Sequence, residues 1–214
     1  PWAIQLFGEG EPETGLVEKI ADTKSSDQKW FLHYKPRLLD NLIERRITFA
    51  RHGGLLRQCH CLYNALAETA ERQLIELDHQ FPELDIQRRL TQWPEAERYI
   101  LRLLFYKTGT PVLAHPHVDR SFMTFHVAES HPGLILGEKA TAYETRMDTV
   151  LAFPGIKAAL LTNDLIPAMK HAVIATNNDP RWAIVFFTHL DIGVSEEDLK
   201  ELTLAEMPNL PVPA

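Results

Sequence analysis

The spacing of apolar positions divides the chain into a helical first half and a second half rich in strands. Apolar residues recur at helical spacing over residues 37–51 and again over 55–77, and Gly53-Gly54 and Phe81-Pro82 end the two patterns. We therefore expect two helices that form a supporting scaffold. A short apolar segment, residues 30–34, precedes them.

From residue 99 onward, short runs rich in β-branched and aromatic residues alternate with Gly, Pro and Asn. The runs predicted as strands are residues 99–106, 121–127, 134–136, 142–145, 149–153, 158–162, 171–176 and 182–190. Short antiparallel strands in this number are typical of a jelly roll. Ser195 and the acidic residues after it are typical of a helix start. The expected fold is α+β and mainly β, a double-stranded β-helix (jelly roll) with N-terminal supporting helices and a short C-terminal helix.

The 214 residues are enough for one domain of ordinary size. We expect a single domain, with a helical scaffold over about residues 1–95, a jelly-roll core over about 96–192 and a tail over 193–214. The sequence begins at Pro1 with neither a methionine nor a signal-like apolar stretch, so we expect that a native N-terminal segment is missing.

Composition restricts the partners of the protein. A net charge of −7 and a pI near 5.8 argue against nucleic acid or an anionic membrane as the main partner. The longest apolar run, residues 182–187, is well short of the ~18 residues of a membrane span, so we expect no membrane association. The two cysteines, Cys59 and Cys61, point in different directions on a helix, which predicts reduced thiols and a cytoplasmic location.

Candidate metal ligands cluster near the middle of the chain. His117 and Asp119 are two residues apart, and side chains with this spacing leave the same face of a strand. Two imidazoles and one carboxylate on one face of a metal form the site of non-haem Fe(II) oxygenases, and His171 is the candidate third ligand. The segment His189-Leu190-Asp191 repeats the spacing, but no histidine follows it.

His115 competes for the same site, because it would share a face with His117 and Asp119 in a regular strand. Pro116 makes that strand irregular and removes a hydrogen-bond donor. We therefore expect His115 to support the site without binding the metal.

Several segments in a fixed order extend this picture. They are residues 117–125, Gly133-Leu134, residues 150–155, residues 161–164, residues 170–173 and Arg181. The set resembles the Fe(II)/2-oxoglutarate oxygenases, and within them it is closest to the isopenicillin N synthase-like branch. The resemblance covers about residues 27–190, and its specificity comes from the whole ordered set. The family implies a distorted jelly roll with flanking helices.

The resemblance implies a role for each matching residue. His117, Asp119 and His171 become the iron ligands, and the 52 positions from Asp119 to His171 resemble the family's spacing. Arg181 becomes the anchor for the distal carboxylate of 2-oxoglutarate, which a guanidinium can hold with two parallel charge-assisted bonds. Residues 177–180 are expected to form the turn between two strands, and a pairing of 177 with 181 would place Arg181 and His171 on one face.

Two positions depart from the family pattern. The family often has a Ser or Thr two residues after the arginine, where this chain has Ala183. The family also often has an Asn-x-Tyr motif in the strand before the His-x-Asp segment, and this chain keeps only its tyrosine, Tyr106. Tyr106 could supply the missing hydroxyl to cosubstrate or substrate, or be a core aromatic residue. Arg102 shares a face with Tyr106. If that face lines the barrel, Arg102 is a buried cation that can bind an anion; alternatively, it lies at the open end and is solvated.

The resemblance implies an Fe(II)-dependent dioxygenase that uses O2 and 2-oxoglutarate and releases succinate and CO2. Its reaction would be the oxidation, most simply the hydroxylation, of an unactivated C–H in a small-molecule substrate. Desaturation and ring closure belong to the same family. The alternatives are an Fe(II) oxidase of the same fold that does not use 2-oxoglutarate, which Ala183 favours, and a metal-binding jelly-roll module without redox chemistry. No residue pattern specifies the primary substrate or the oligomeric state.

Overall fold

The computed structural model describes residues 16–19, 29–36, 53–107, 109–137, 139–146, 148–195, 197–199 and 202. The strands in these ranges are β1 (Leu16–Lys19), β2 (Lys29–Tyr34), β3 (Tyr99–Tyr106), β4 (Val112–His117), β5 (Met123–Glu129), β6 (Leu134–Leu136), β7 (Thr141–Tyr143), β8 (Leu151–Pro154), β9 (His171–Ile174) and β10 (Arg181–Thr188). The helices are α1 (Gly53–Gln80), α2 (Ile86–Gln92) and α3 (Ile156–Leu161), and Pro82–Leu84 and Glu95–Glu97 form short 3₁₀ turns. The helix predicted over residues 37–51 lies outside the described residues.

The strands form two antiparallel sheets. The larger has the order β1-β2-β3-β10-β5-β8, and the smaller has the order β4-β9-β6-β7. Apolar side chains from both sheets meet in one cluster, which includes Phe31, Leu104 and Val185 from the larger sheet and Leu113 and Val173 from the smaller. This is the predicted mainly β, jelly-roll fold, with an interior between two facing sheets.

The outer face of the larger sheet is covered by α1. Successive side chains of a strand point to opposite faces, so Val185 points into the barrel while Phe186 points toward α1. Tyr63 on α1 meets Phe186 edge to face, with ring centroids 5.6 Å apart, and Phe186 stacks on Tyr99 at 5.5 Å. The helix predicted over residues 55–77 is therefore confirmed as a support for the sheet.

One predicted strand is wrong. Residues 158–162 belong to the end of α3 and the residue after it, where the Thr162 backbone N–H donates to the carbonyl of Ala158 at 3.0 Å. A short, fully apolar run has no usable periodicity, so a buried helix and a buried strand share the same pattern. Gly155, in an extended conformation, is the residue from which this helix begins.

Other differences concern strands and their pairing. β4 was not among the predicted strands, and the predicted helical scaffold also supplies β1 and β2 to the larger sheet. A pairing of 177 with 181 does not occur, because β9 pairs with β4 and β6 whereas β10 pairs with β3 and β5. Residues 177–180 instead connect the two sheets through a turn in which the Asp179 N–H donates to Asn177 Oδ1 at 3.0 Å.

The segment after β10 begins with the predicted cap. The Asp198 N–H donates to Ser195 Oγ at 3.1 Å, and the Ser195 hydroxyl donates to Asp198 Oδ2 at 2.7 Å.

Among the helices whose placement is described, none combines the length and apolar character needed to cross a membrane.

Gly155 provides a test of the packing that holds α3 against the loop before β5. A Cβ at this position would lie 2.2 Å from the Ser121 carbonyl oxygen and 2.8 Å from that of Asp119. We expect Gly155→Ala to lower the free energy of unfolding by about 1–3 kcal/mol, measured by denaturant titration, because the added methyl forces backbone apart. The matched control is Gly54→Ala, where a Cβ would meet nothing within 4 Å. Equal effects of the two substitutions would contradict this packing.

Candidate active site

The three predicted metal ligands come together at one end of the barrel. His117 is the last residue of β4 and His171 the first of β9, and the two are direct partners across the strands. Asp119 follows in the loop after β4. His117 Nε2 lies 3.7 Å from Asp119 Oδ1, and His171 Nε2 lies 3.6 Å from Asp119 Oδ2. Within the described part of the chain, this is the one group of three such ligand atoms within 4.8 Å of one another.

These distances fit a shared metal ion better than direct hydrogen bonds. Two ligand atoms that each lie about 2.0–2.2 Å from one ion are at most about 4.4 Å apart. Both histidines also present the correct nitrogen, because His117 Nδ1 lies 2.7 Å from the carbonyl oxygen of His115 and His171 Nδ1 lies 3.1 Å from that of Met169. With Nδ1–H donating to the backbone, the lone pair is on Nε2.

The protonation states suit metal binding as well. Burial, followed by the neighbouring His171, lowers the pKa of His117 to about 4, so the imidazole is neutral at pH 7. Burial alone would raise the pKa of Asp119, but the two histidines, the hydrogen bond from Thr124 and the charge of Arg102 together lower it. His117 therefore offers a neutral imidazole and Asp119 a carboxylate.

The loop that carries Asp119 is fixed by α3 and β5. The Asp119 carbonyl oxygen accepts from the Ile156 N–H at 2.8 Å, and the Thr124 hydroxyl donates to Asp119 Oδ2 at 2.7 Å. Thr124 lies 2.8 Å from Ser121 Oγ and is buried with it. Sequence reasoning missed Thr124, although its place on a strand directly after the ligand loop was a usable signal.

The other candidate ligands stand apart from this group. His115 is exposed and is not among the clustered ligands, and β4 shifts its register between Ala114 and His117, around Pro116. His189 stacks on Trp93 with ring centroids 6.4 Å apart, so the second His-x-Asp segment does not contribute to the cluster.

A cavity extends from the triad into the barrel. Apolar and cationic side chains line most of it, together with Thr124, His126 and the triad. They are Lys29, Arg102, Leu104, Tyr106, Leu134, Phe153, Val173, Arg181, Ala183, Val185 and Phe187.

Arg181 is buried at the far end of this cavity. It forms an ion pair with Glu129 through Nη2, and its Nε donates to the His131 carbonyl oxygen at 3.1 Å. Its Nη1 is buried without a hydrogen-bond partner among the described residues. Tyr106 is its partner across β3 and β10, and the guanidinium carbon lies 5.3 Å from the centre of the tyrosine ring. Arg181 and Tyr106 thus lie side by side on the wall of the cavity.

Glu129 was not identified from the sequence. It is opposite Ala183 across β5 and β10, and one extra residue in β5, Val127, shifts the register between the two strands. Burial would raise its pKa, but His126, Thr145 and Arg181 together lower it to about 2, so it is charged. Glu129 and the His131 carbonyl oxygen already bind Nη2 and Nε of Arg181, so only Nη1 is left for another acceptor. The sequence had suggested two parallel donors.

The chain is a jelly-roll protein in which two histidines and one carboxylate, a set that could hold a metal ion, face an interior cavity. The family model described as "2OG-Fe(II) oxygenase superfamily" matches residues 98–190, which contain β3 to β10 and all three ligands. Over these residues the chain resembles the superfamily, which uses Fe(II) as cofactor and 2-oxoglutarate as cosubstrate, and the resemblance supports an oxidoreductase.

Several solved structures share the fold. AtDAO1, the dioxygenase for auxin oxidation 1 from Arabidopsis thaliana, solved as a 2-oxoglutarate complex, has a TM-score of 0.67 at 14% identity over 98% of this chain and 80% of its own. JOX2, in complex with 2OG, Fe and JA, has a TM-score of 0.67 at 18% identity over 84% of this chain and 55% of its own. A protein from Caulobacter crescentus assigned to the 2OG-Fe(II) oxygenase family has a TM-score of 0.65 at 19% identity over 96% and 80%. No curated protein sequence matches the chain.

The ion pair of Glu129 with Arg181 predicts a specific dependence of stability on pH. The pKa of Glu129 is lower in the folded state, so its contribution is fully present above about pH 4.5 and is lost as pH falls toward 2. We expect Glu129→Gln to cost about 3 kcal/mol of unfolding free energy at pH 7, and the difference from wild type to shrink on acidification. Glu144→Gln, at an exposed glutamate nearby, is the control. A difference that stays constant from pH 7 to pH 3 would contradict the ion pair.

Proposed function

We propose that His117, Asp119 and His171 bind the catalytic Fe(II). The observation that carries this proposal is the convergence of two Nε2 lone pairs and one carboxylate within 4.8 Å, with both Nδ1 atoms close to backbone carbonyls. Three protein ligands on one face of an octahedral ion leave three positions for cosubstrate and O2.

Arg181 and Tyr106 would bind the distal carboxylate of 2-oxoglutarate. The support is the buried Nη1 of Arg181, a donor without a partner in the described structure, beside the buried Tyr106 on the same cavity wall. A buried unpaired donor costs about 1–3 kcal/mol, so a carboxylate oxygen there would relieve that cost. The negative charge of Glu129 would oppose the same carboxylate and weaken its binding.

The proposed reaction is hydroxylation of a small-molecule substrate. When bound, Fe(II) and 2-oxoglutarate activate O2, so that one oxygen atom enters a substrate C–H and the other enters succinate as CO2 leaves. The protein's residues position these partners: the triad fixes the open coordination positions, Thr124 holds the Asp119 carboxylate, and the apolar walls around Phe153 and Phe187 exclude water. Both described cysteines are free thiols, which supports our proposal of a reducing, cytoplasmic setting.

Metal binding to the triad can be measured without turnover. Mn(II), a stand-in for Fe(II) that is stable in air, should raise the melting temperature of the wild-type protein, because a ligand at about 100 times its Kd adds about 2.7 kcal/mol. For a chain of this size that corresponds to a rise of about 5–10 °C. His171→Ala should abolish most of the rise.

The control is His79→Ala, an exposed histidine at the end of α1. It should leave the rise unchanged. A rise that persists in His171→Ala, or one that His79→Ala removes equally, would place the metal elsewhere.

Cosubstrate anchoring is tested by removing the guanidinium. We expect Arg181→Gln to raise the Kd for 2-oxoglutarate about 10- to 100-fold, since a hydrogen bond to a charged group contributes about 1.5–3 kcal/mol. The double variant with Glu129→Gln avoids leaving an unpaired buried carboxylate, and it should still lose affinity for 2-oxoglutarate, by a smaller factor because the repulsion from Glu129 is also removed. Calorimetric titration of the Mn(II)-loaded protein measures both, with Arg72→Gln on the exposed face of α1 as the control.

Tyr106→Phe removes one hydroxyl and should raise the same Kd by a smaller factor while Mn(II) binding persists. Wild-type affinity for 2-oxoglutarate in both Arg181→Gln and Tyr106→Phe would overturn the anchor. The pairing of Arg181 with Glu129 is also the observation that favours the second candidate, an Fe(II) oxidase that does not use 2-oxoglutarate. Succinate formed in proportion to substrate oxidised supports the oxygenase, and its absence supports the oxidase.

A further inference from the structure

A second guanidinium faces the cavity at a different depth. Arg102 lies on the inner face of β3 opposite Val185, whereas Arg181 lies opposite Tyr106. The four positions from Arg102 to Tyr106 correspond to about 13 Å along a strand. The two arginines are therefore attached to the barrel wall at different positions along its strands.

The contacts of Arg102 hold its plane while leaving its edge open. Its guanidinium carbon lies 4.9 Å from the centre of the Phe31 ring and 4.6 Å from that of Phe187, and its Nε donates to His33 Nε2 at 2.7 Å. The two terminal nitrogens make no hydrogen bond to any residue in the described ranges. Neither terminal nitrogen is fully buried, and Arg102 lines the cavity, so both keep access to it.

Such a charge is costly to keep inside a barrel. Burial is the main effect that lowers the pKa of Arg102 to about 10, against the opposing influence of Asp119 and Tyr106. The group is still charged at pH 7, and a half-buried charge without an ionic partner is less favourable inside the barrel than one that an anion completes. Asp119 is committed to the triad, and Glu129 forms its ion pair with Arg181.

We propose that Arg102 binds a carboxylate of the primary substrate, so that the substrates of this enzyme are small organic acids. The inference rests on the proposed function, because the acid would be held with its carbon skeleton toward the triad. 2-Oxoglutarate that chelates the metal and reaches Arg181 would use both of its own carboxylates, which leaves Arg102 for a second acid. The planar guanidinium offers two parallel donors to a carboxylate, and the surrounding Phe31 and Phe187 rings suit an apolar skeleton.

The test compares acids with their neutral isosteres. Acetate, hexanoate, benzoate and phenylacetate, each paired with its primary amide, are titrated by calorimetry into the protein loaded with Zn(II) and saturating 2-oxoglutarate, so that Arg181 is already occupied. At least one acid should bind at least about tenfold more tightly than its amide, as expected for a charge-assisted pair. Arg102→Gln should remove this preference, and Arg102→Lys should retain part of it.

Two measurements keep the inference separate from the proposed function. The Kd for 2-oxoglutarate should change less than about twofold in Arg102→Gln, because that cosubstrate is assigned to Arg181. Arg72→Gln, which removes an exposed charge on α1, should leave the acid-to-amide ratio as in wild type. If Arg102→Gln does not fold, the ratio in Arg102→Lys compared with that in wild type decides.

Wild-type protein that binds 2-oxoglutarate but prefers none of the acids to its amide would overturn the inference and leave the proposed function standing. A large loss of 2-oxoglutarate affinity in Arg102→Gln would also overturn it and make Arg102 the cosubstrate anchor. Wild-type protein that binds no 2-oxoglutarate would instead be a failure of the proposed function. The change of the acid-to-amide ratio between wild type and Arg102→Gln, measured without 2-oxoglutarate, would still decide whether Arg102 binds carboxylates.

Discussion

The pairing of His117 with His171 across β4 and β9 is the contact on which the site depends. It brings the end of one strand against the start of another, 54 positions later in the sequence, with ring centroids 4.2 Å apart. Asp119 then needs only a short loop to reach both rings, and α3 and Thr124 hold that loop in place. A slip of one residue in this pairing would turn one imidazole to the other face of the sheet. The triad is therefore a consequence of strand register.

The interior of the barrel is unusual in the number of charges it holds. Asp119, Glu129, Arg102 and Arg181 all lie within or beside one cavity, where burial penalises charge. Arg181 and Glu129 compensate each other, and a metal would compensate Asp119. Arg102 is held instead by two aromatic faces and a neutral acceptor. A barrel built only for stability would place apolar residues at these positions.

Much of this arrangement could be predicted from the sequence. The bounds of β3 and β6 were predicted correctly, since their apolar and β-branched runs are bounded by clear breaks, and α1 followed from its helical spacing. The long-range contacts could not be derived from local patterns. The partner of Arg181 depends on the register of β5 against β10, and the crossing from β9 to β10 between sheets resembles an ordinary hairpin turn in sequence. The same limit applies to α3, whose short apolar run suits either element.

X-ray absorption at the iron edge of the Fe(II)-loaded protein reports directly on the atoms that bind the metal. We expect nitrogen and oxygen ligands only, at about 2.0–2.2 Å, with the outer-shell scattering of two imidazoles that falls to one in His171→Ala. A sulfur ligand from Cys59 or Cys61, or a spectrum without imidazole scattering, would contradict it.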